Sequence, residues 1–132
     1  MKYLIFDFNG TVLDDLDVCV KCENKTIEHY KLDREPLSKE EYLRIFTFPV
    51  KDYYEAVGFD WNKFSYEEVG AYWFSWYRAL KDEYKVHDGV IDVLNKVQKI
   101  AFDFPEIKSI DINPILVTKD RAAVVDFKII LK

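Results

Sequence analysis

The apolar positions of the chain come first as one unbroken run, then at helical spacing, then as two β-branched runs, and each pattern predicts a different element. Tyr3 to Phe6 is a continuous apolar stretch closed by Asp7 and by a turn at Asn9-Gly10, which reads as a buried strand. Leu16, Val20, Ile27 and Tyr30 then recur at helical spacing and predict a helix from about Asp14 to Lys31. Ser38 and Ser65 each stand three residues before a Glu, the capping-box arrangement, so two more helices are expected to begin near Lys39 and Tyr66. Pro49 and Gly58 bracket a short helical piece, Val50 to Val57. From Tyr66 to Asp82 the residues Tyr72, Trp73, Trp76, Tyr77 and Leu80 form an aromatic stripe expected to serve as helical core. Asp88-Gly89 opens a last helix, with Val90, Val93, Leu94, Val97, Ile100 and Ala101 on one face and an end before Pro105.

Beyond Ile107 the β-branched content rises, and Lys119-Asp120-Arg121 separates two apolar runs as a hairpin turn does. The expected fold is α/β. The N-terminal strand and a C-terminal hairpin, Ile110 to Thr118 antiparallel to Ala122 to Leu131, build a small sheet beside a helical cap-like bundle.

Composition narrows the function more than the fold. With 132 residues, 49% of them apolar, the chain is expected to fold as a single compact unit. Nineteen Lys and Arg against 24 Asp and Glu leave a net charge of −5, which argues against nucleic acid or an anionic membrane as partner. No apolar run approaches the roughly 18 residues of a membrane span, so a cytoplasmic setting is expected. Cys19 and Cys22 lie inside a helical pattern rather than at a helix start, and only His29 and His87 could join them. Reduced, structural thiols are the expectation.

The stretch DFNGTVLDD, Asp7 to Asp15, carries the first candidate chemistry. An acid at a strand's end, followed by a Gly turn and a hydroxyl, places a carboxylate beside free amides, where a phosphoryl group can be held and attacked. Asp7 is then the nucleophile, Thr11 bonds a phosphate oxygen, and the Phe8 carbonyl or the Asn9 side chain faces the same site. On the competing reading Asp7 only ends a strand.

DFNGTVLDD resembles the first motif, D-x-D-G-T, of the haloacid-dehalogenase-like hydrolases. FTFPVKDYYEAVGF and HDGVIDVL look like the helical cap and cap-to-core return of its phosphoglycolate-phosphatase-like branch, so residues 1–95 are covered. This resemblance implies a phosphatase acting on a small phosphorylated metabolite through an aspartyl-phosphate at Asp7, with Mg2+ held by Asp7 and the Phe8 carbonyl. Asn9 stands where that family has its general acid and base, and Asn cannot exchange a proton at neutral pH. The later motifs of the family, a Ser or Thr, a Lys and a pair of acids, do not follow.

FPEIKSIDINPILVTKDRAAVVDFKII, within residues 96–132, is instead similar to the closing strands of the ATP-grasp domain of ADP-forming acyl-CoA synthetases. That resemblance implies Asn113 and Asp126 as Mg2+ ligands for a nucleotide, with Asp111 as the acid before Ile-Asn-Pro. Two resemblances that meet near residue 95 imply a recombined or engineered chimera, or a natural gene fusion. Three functions stay open: a weak phosphohydrolase, a hybrid without efficient catalysis, and a residual nucleotide- and Mg2+-binding fragment. A homodimer formed by edge pairing is compatible with each.

Overall fold

The computed structural model describes residues 7–112, 115–117, 122–124 and 127–132. The expected strand Tyr3 to Phe6 and the turn Lys119-Asp120-Arg121 lie outside the described residues. The fold is mixed α/β, and the chain divides between His87 and Asp88 into two compact units.

The first unit is a helical bundle closed by a two-residue ladder. Its helices are α1 (Leu16–Tyr30), α2 (Lys39–Ile45), α3 (Val50–Val57) and α4 (Tyr66–Ala79). Strands β1 (Leu13–Asp14) and β2 (Lys85–Val86) pair antiparallel, Leu13 opposite Val86, and the His87 amide adds a bond to the Val12 carbonyl at 3.1 Å. This ladder ties together the two ends of the helical segment. Two residues are too few to show strand alternation, which is why the sequence pattern does not announce it.

Both capping serines act as expected. Ser38 Oγ accepts the Glu41 amide at 3.1 Å, and Ser65 Oγ accepts the Glu68 amide at 3.3 Å. Gly58 ends α3 with φ +116°, a conformation that a side chain would strain. Truncation of Ser38 to Ala is expected to cost about 1 kcal/mol in urea unfolding, since it orphans one amide at an α2 that is only seven residues long.

Val20, Ile27, Leu37, Tyr42, Tyr53, Tyr54, Val57, Phe59 and Val69 form the core. Asn24 clamps the α1–α2 connection to it: its side chain accepts the Leu37 amide at 2.7 Å and donates to the Leu37 carbonyl at 3.0 Å. Arg34 donates to the Val57 carbonyl and to Glu41. The aromatic stripe of α4 differs from its expected role. Only Val69 of that helix is buried, whereas Tyr72, Trp73, Trp76, Tyr77 and Leu80 are half-buried. Tyr72 stacks on His29, Lys25 lies over the Trp76 ring, and Trp73 stacks on Tyr77. Periodicity shows which face is apolar, not how completely other elements cover it.

The second unit carries α5 (Val90–Asp103) and the strands β3 (Ile107–Ile112), β4 (Ile115–Val117), β5 (Ala122–Val124) and β6 (Phe127–Leu131). Along α5, Val90, Leu94, Val97 and Ala101 are half-buried and Ile91 and Phe102 are exposed. β3 pairs antiparallel with β6, Ile110 opposite Ile129, and β4 with β5, Ile115 opposite Val124. Ile112 faces Phe127 and Ile115 faces Val124, so the two ladders hold the same register. This is the antiparallel C-terminal pairing that the β-branched runs predict. Among the described residues, no helix is long and apolar enough to cross a membrane.

Candidate functional site

The turn after Asp7 is held by its own backbone. The Phe8 amide donates to Asp7 Oδ1 at 2.9 Å and Thr11 Oγ1 donates to Asp7 Oδ2 at 3.1 Å, so the carboxylate and the hydroxyl of the motif are brought together. Three amides, of Thr11, Val12 and Leu13, converge on the Phe8 carbonyl at 3.4, 2.9 and 2.9 Å. A carbonyl has two lone pairs, so a metal ion at that oxygen requires these bonds to open. Asn9 points elsewhere: its amide donates to Asp15 Oδ2 at 2.9 Å and to the Tyr77 hydroxyl.

Asp15 is the residue that organises the loop, and motif reading missed it. Only 4% exposed, it also accepts the Gly10 amide at 3.1 Å and the Tyr77 hydroxyl at 2.5 Å. The available signal is the acid pair after the turn: Asp14 is exposed, whereas Asp15 begins α1 with a buried side chain.

Next to this loop the helical unit holds a cavity of about 980 Å³, with Asn9, Gly10 and Asp15 among its lining residues and aromatic wall residues that include Tyr42, Tyr53, Tyr54, Tyr66, Trp73 and Tyr77. Glu23 of α1 also lines it and has no exposed surface. Burial pushes its carboxyl up to about 7, against the opposing pull of the Tyr53 hydroxyl and the Arg34 charge. Apart from this interaction between them, neither carboxylate oxygen nor the Tyr53 hydroxyl has a hydrogen-bond partner among the described residues. A sequence signal for Glu23 exists: it fills the place between Val20 and Ile27 in the stripe Leu16, Val20, Ile27, Tyr30.

Cys19 and Cys22 are free thiols inside α1, pushed up to about 12 and about 11 chiefly by burial, and so unreactive at neutral pH. Among the described residues no group of three or more His, Cys, Asp or Glu is placed to hold a metal ion. Asn113 and Asp126 lie outside the described residues. Asp111 is exposed on β3, opposite Lys128 of β6.

Comparison with known proteins divides the two resemblances. Residues 75–131 match the ATP-grasp domain family. The β subunit of ADP-forming acetate–CoA ligase I from Pyrococcus furiosus is 46% identical over 44 residues, 33% of this chain and 19% of that protein. ADP-forming acetate–CoA ligase I from Archaeoglobus fulgidus is 41% identical over 44 residues, 33% of this chain and 6% of that protein. The chain therefore spans less than a fifth of either relative. No solved structure matches it. The family match begins at Ser75, within α4, and takes in the whole of α5, where the expected junction near residue 95 falls. It supports the ATP-grasp resemblance and gives none to the phosphohydrolase resemblance or to a chimera.

Proposed function

We propose that residues 75–131 are a nucleotide-binding part of an ATP-grasp domain, related to that of ADP-forming acyl-CoA ligases, with Asn113 and Asp126 as ligands of the nucleotide's Mg2+. The observation that carries this reading is the family match over 75–131, reinforced by the two relatives. The two strand ladders of one register form the kind of scaffold on which the resemblance sets those two ligands. A carboxylate and an amide oxygen are the hard donors that suit Mg2+. Bound there, the ion would neutralise phosphate charge. Calorimetric titration with ADP in excess Mg2+ is expected to show binding that Asp126→Ala and Asn113→Ala each weaken at least about tenfold, the loss of a good charge-assisted contact. Equal affinity in both variants, or no binding by the wild type, would overturn the assignment.

A second reading, a phosphohydrolase built on Asp7, is favoured by one observation: the Asp7 carboxylate and the Thr11 hydroxyl are held together in one exposed turn. Asn9 is committed to Asp15 and Tyr77 and supplies no proton, so turnover on this reading is slow.

A further inference from the structure

We propose that Asn9 is a site of self-modification: it deamidates through attack by the Gly10 backbone nitrogen, at a rate set by a clamp made of Asp15 and Tyr77. The site is separate from the nucleotide assignment, since each of its residues precedes Asp88. Asn9 is followed by Gly, whereas Asn24, Asn62 and Asn95 precede Lys and Asn113 precedes Pro. A glycine nitrogen has no adjoining side chain to obstruct its approach to the Asn carboxamide carbon. Gly10 takes φ +71° in open space, where an added Cβ meets nothing within 4 Å. Asn9 and Gly10 are both exposed, so water reaches them.

In the reaction the Gly10 nitrogen gives up its proton and forms a bond to Cγ of Asn9. The Cγ–Nδ2 bond breaks, and the amide nitrogen takes up the released proton and departs as ammonia. One water then opens the cyclic imide on either side, leaving aspartate or isoaspartate at position 9. Asn and water become acid and ammonia, and nothing is oxidised or reduced.

One carboxylate holds both nitrogens that this reaction changes. Asp15 Oδ1 accepts the Gly10 amide at 3.1 Å, and Asp15 Oδ2 accepts Asn9 Nδ2 at 2.9 Å. The Tyr77 hydroxyl donates to Asp15 Oδ2 at 2.5 Å and accepts from Asn9 Nδ2. Ring closure needs the Gly10 nitrogen free of its proton, and a neighbouring negative charge disfavours the amide anion. It also needs the Asn9 side chain to turn, and two hydrogen bonds on Nδ2 resist that. Attack therefore proceeds from the fraction of molecules in which the loop is open.

Conversion reverses the role of the side chain in the clamp. An amide that donates to Asp15 and Tyr77 becomes a carboxylate that only accepts, set against a second carboxylate. The two acids repel, and the turn carrying Asp7 and Thr11 is released from Asp15 and Tyr77. The release runs one way, because the ammonia is lost.

The whole chain is aged in mildly alkaline buffer, native and in urea, and peptide mass spectrometry follows amide-to-acid conversion at each Asn, with isoaspartyl methyltransferase labelling of the isoaspartate. In the native chain conversion is expected at Asn9 ahead of Asn24, Asn62 and Asn95, and at least about tenfold slower than in urea, tenfold being the free energy of one hydrogen bond. Tyr77→Phe, which keeps the Asp15 carboxylate and removes one arm of the clamp, should speed conversion severalfold while its circular dichroism stays that of the wild type. Asn9→Asp, a uniform stand-in for the aspartate product, should lower Tm by at least about 4 °C. No conversion of Asn9 in the native chain, conversion there as fast as in urea, a wild-type rate in folded Tyr77→Phe, or an unchanged Tm in Asn9→Asp would overturn the proposal.

Discussion

Replacement of Glu23 by Gln is expected to flatten the pH dependence of stability. The folded carboxyl titrates near 7 and an unfolded one near 4.5, so the native state holds its proton more tightly. Below the unfolded value both states are neutral and the side chain costs nothing in charge burial. As pH rises through the folded value, the unfolded chain is already ionised and the native state must either keep a proton or bury a charge. Stability contributed by the neutral carboxyl is thus fully present below about pH 4.5 and lost by pH 8, a difference of about 3 kcal/mol. Gln has nearly the same shape and cannot ionise. Urea unfolding of wild type and variant between pH 4.5 and 8 should therefore diverge by that amount, the variant being more stable at the alkaline end. Parallel curves would show that Glu23 ionises freely in the fold.

Truncation of Asp15 to Ala is the second large effect. Its carboxylate accepts from Asn9, from the Gly10 amide and from Tyr77, and the truncation removes three hydrogen bonds in a part-buried place. At about 1 to 1.5 kcal/mol for each lost bond, the cost is about 3 to 4 kcal/mol, which for a unit of this size lowers Tm by roughly 15 °C or more. Asp14→Ala, one residue away and exposed, should leave Tm within about 2 °C, because surface substitutions rarely exceed half a kcal/mol. A pair of acids that look equivalent in sequence separates into one structural and one dispensable residue. Similar thermal scans for the two variants would contradict this division.

Much of the architecture is legible from local pattern, and the reasons are specific. Pro49 and Gly58 bracket α3 because one fixes the backbone at its start and the other supplies the left-handed residue at its end. Ser38 and Ser65 fix two helix starts because their side chains replace a missing intrahelical acceptor. The C-terminal pairing follows from β-branched runs, whose residues fit a pleated surface. What pattern cannot show is what one element does to another. The β1–β2 ladder joins residues more than 70 positions apart. The α4 stripe stays half-buried instead of filling a core, and two of its residues, Trp73 and Tyr77, line a cavity. Asp15 and Glu23 are buried by tertiary packing although both are charged residue types that normally face water.

The candidate chemistry was legible in two unequal parts. The Asp7–Thr11 pair is local, and its geometry follows from a turn of five residues. Asn113 and Asp126 are legible only through resemblance, since Ile-Asn-Pro and an acid after an apolar run have no spacing that dictates a metal on physical grounds alone. The family match over 75–131 strengthens the second part and moves the weight of the functional reading from the N-terminal acid to the C-terminal strands.

The central claim, that nucleotide recognition belongs to the C-terminal strands and not to the Asp7 turn, is tested most directly by titrating ADP and Mg2+ into the isotopically labelled chain and following its amide resonances. The account predicts saturable shifts concentrated between Ile107 and Leu131, with Thr11, Val12 and Leu13 unmoved. Shifts centred on Gly10 and Thr11, with the C-terminal strands unaffected, would contradict it and return the chemistry to Asp7.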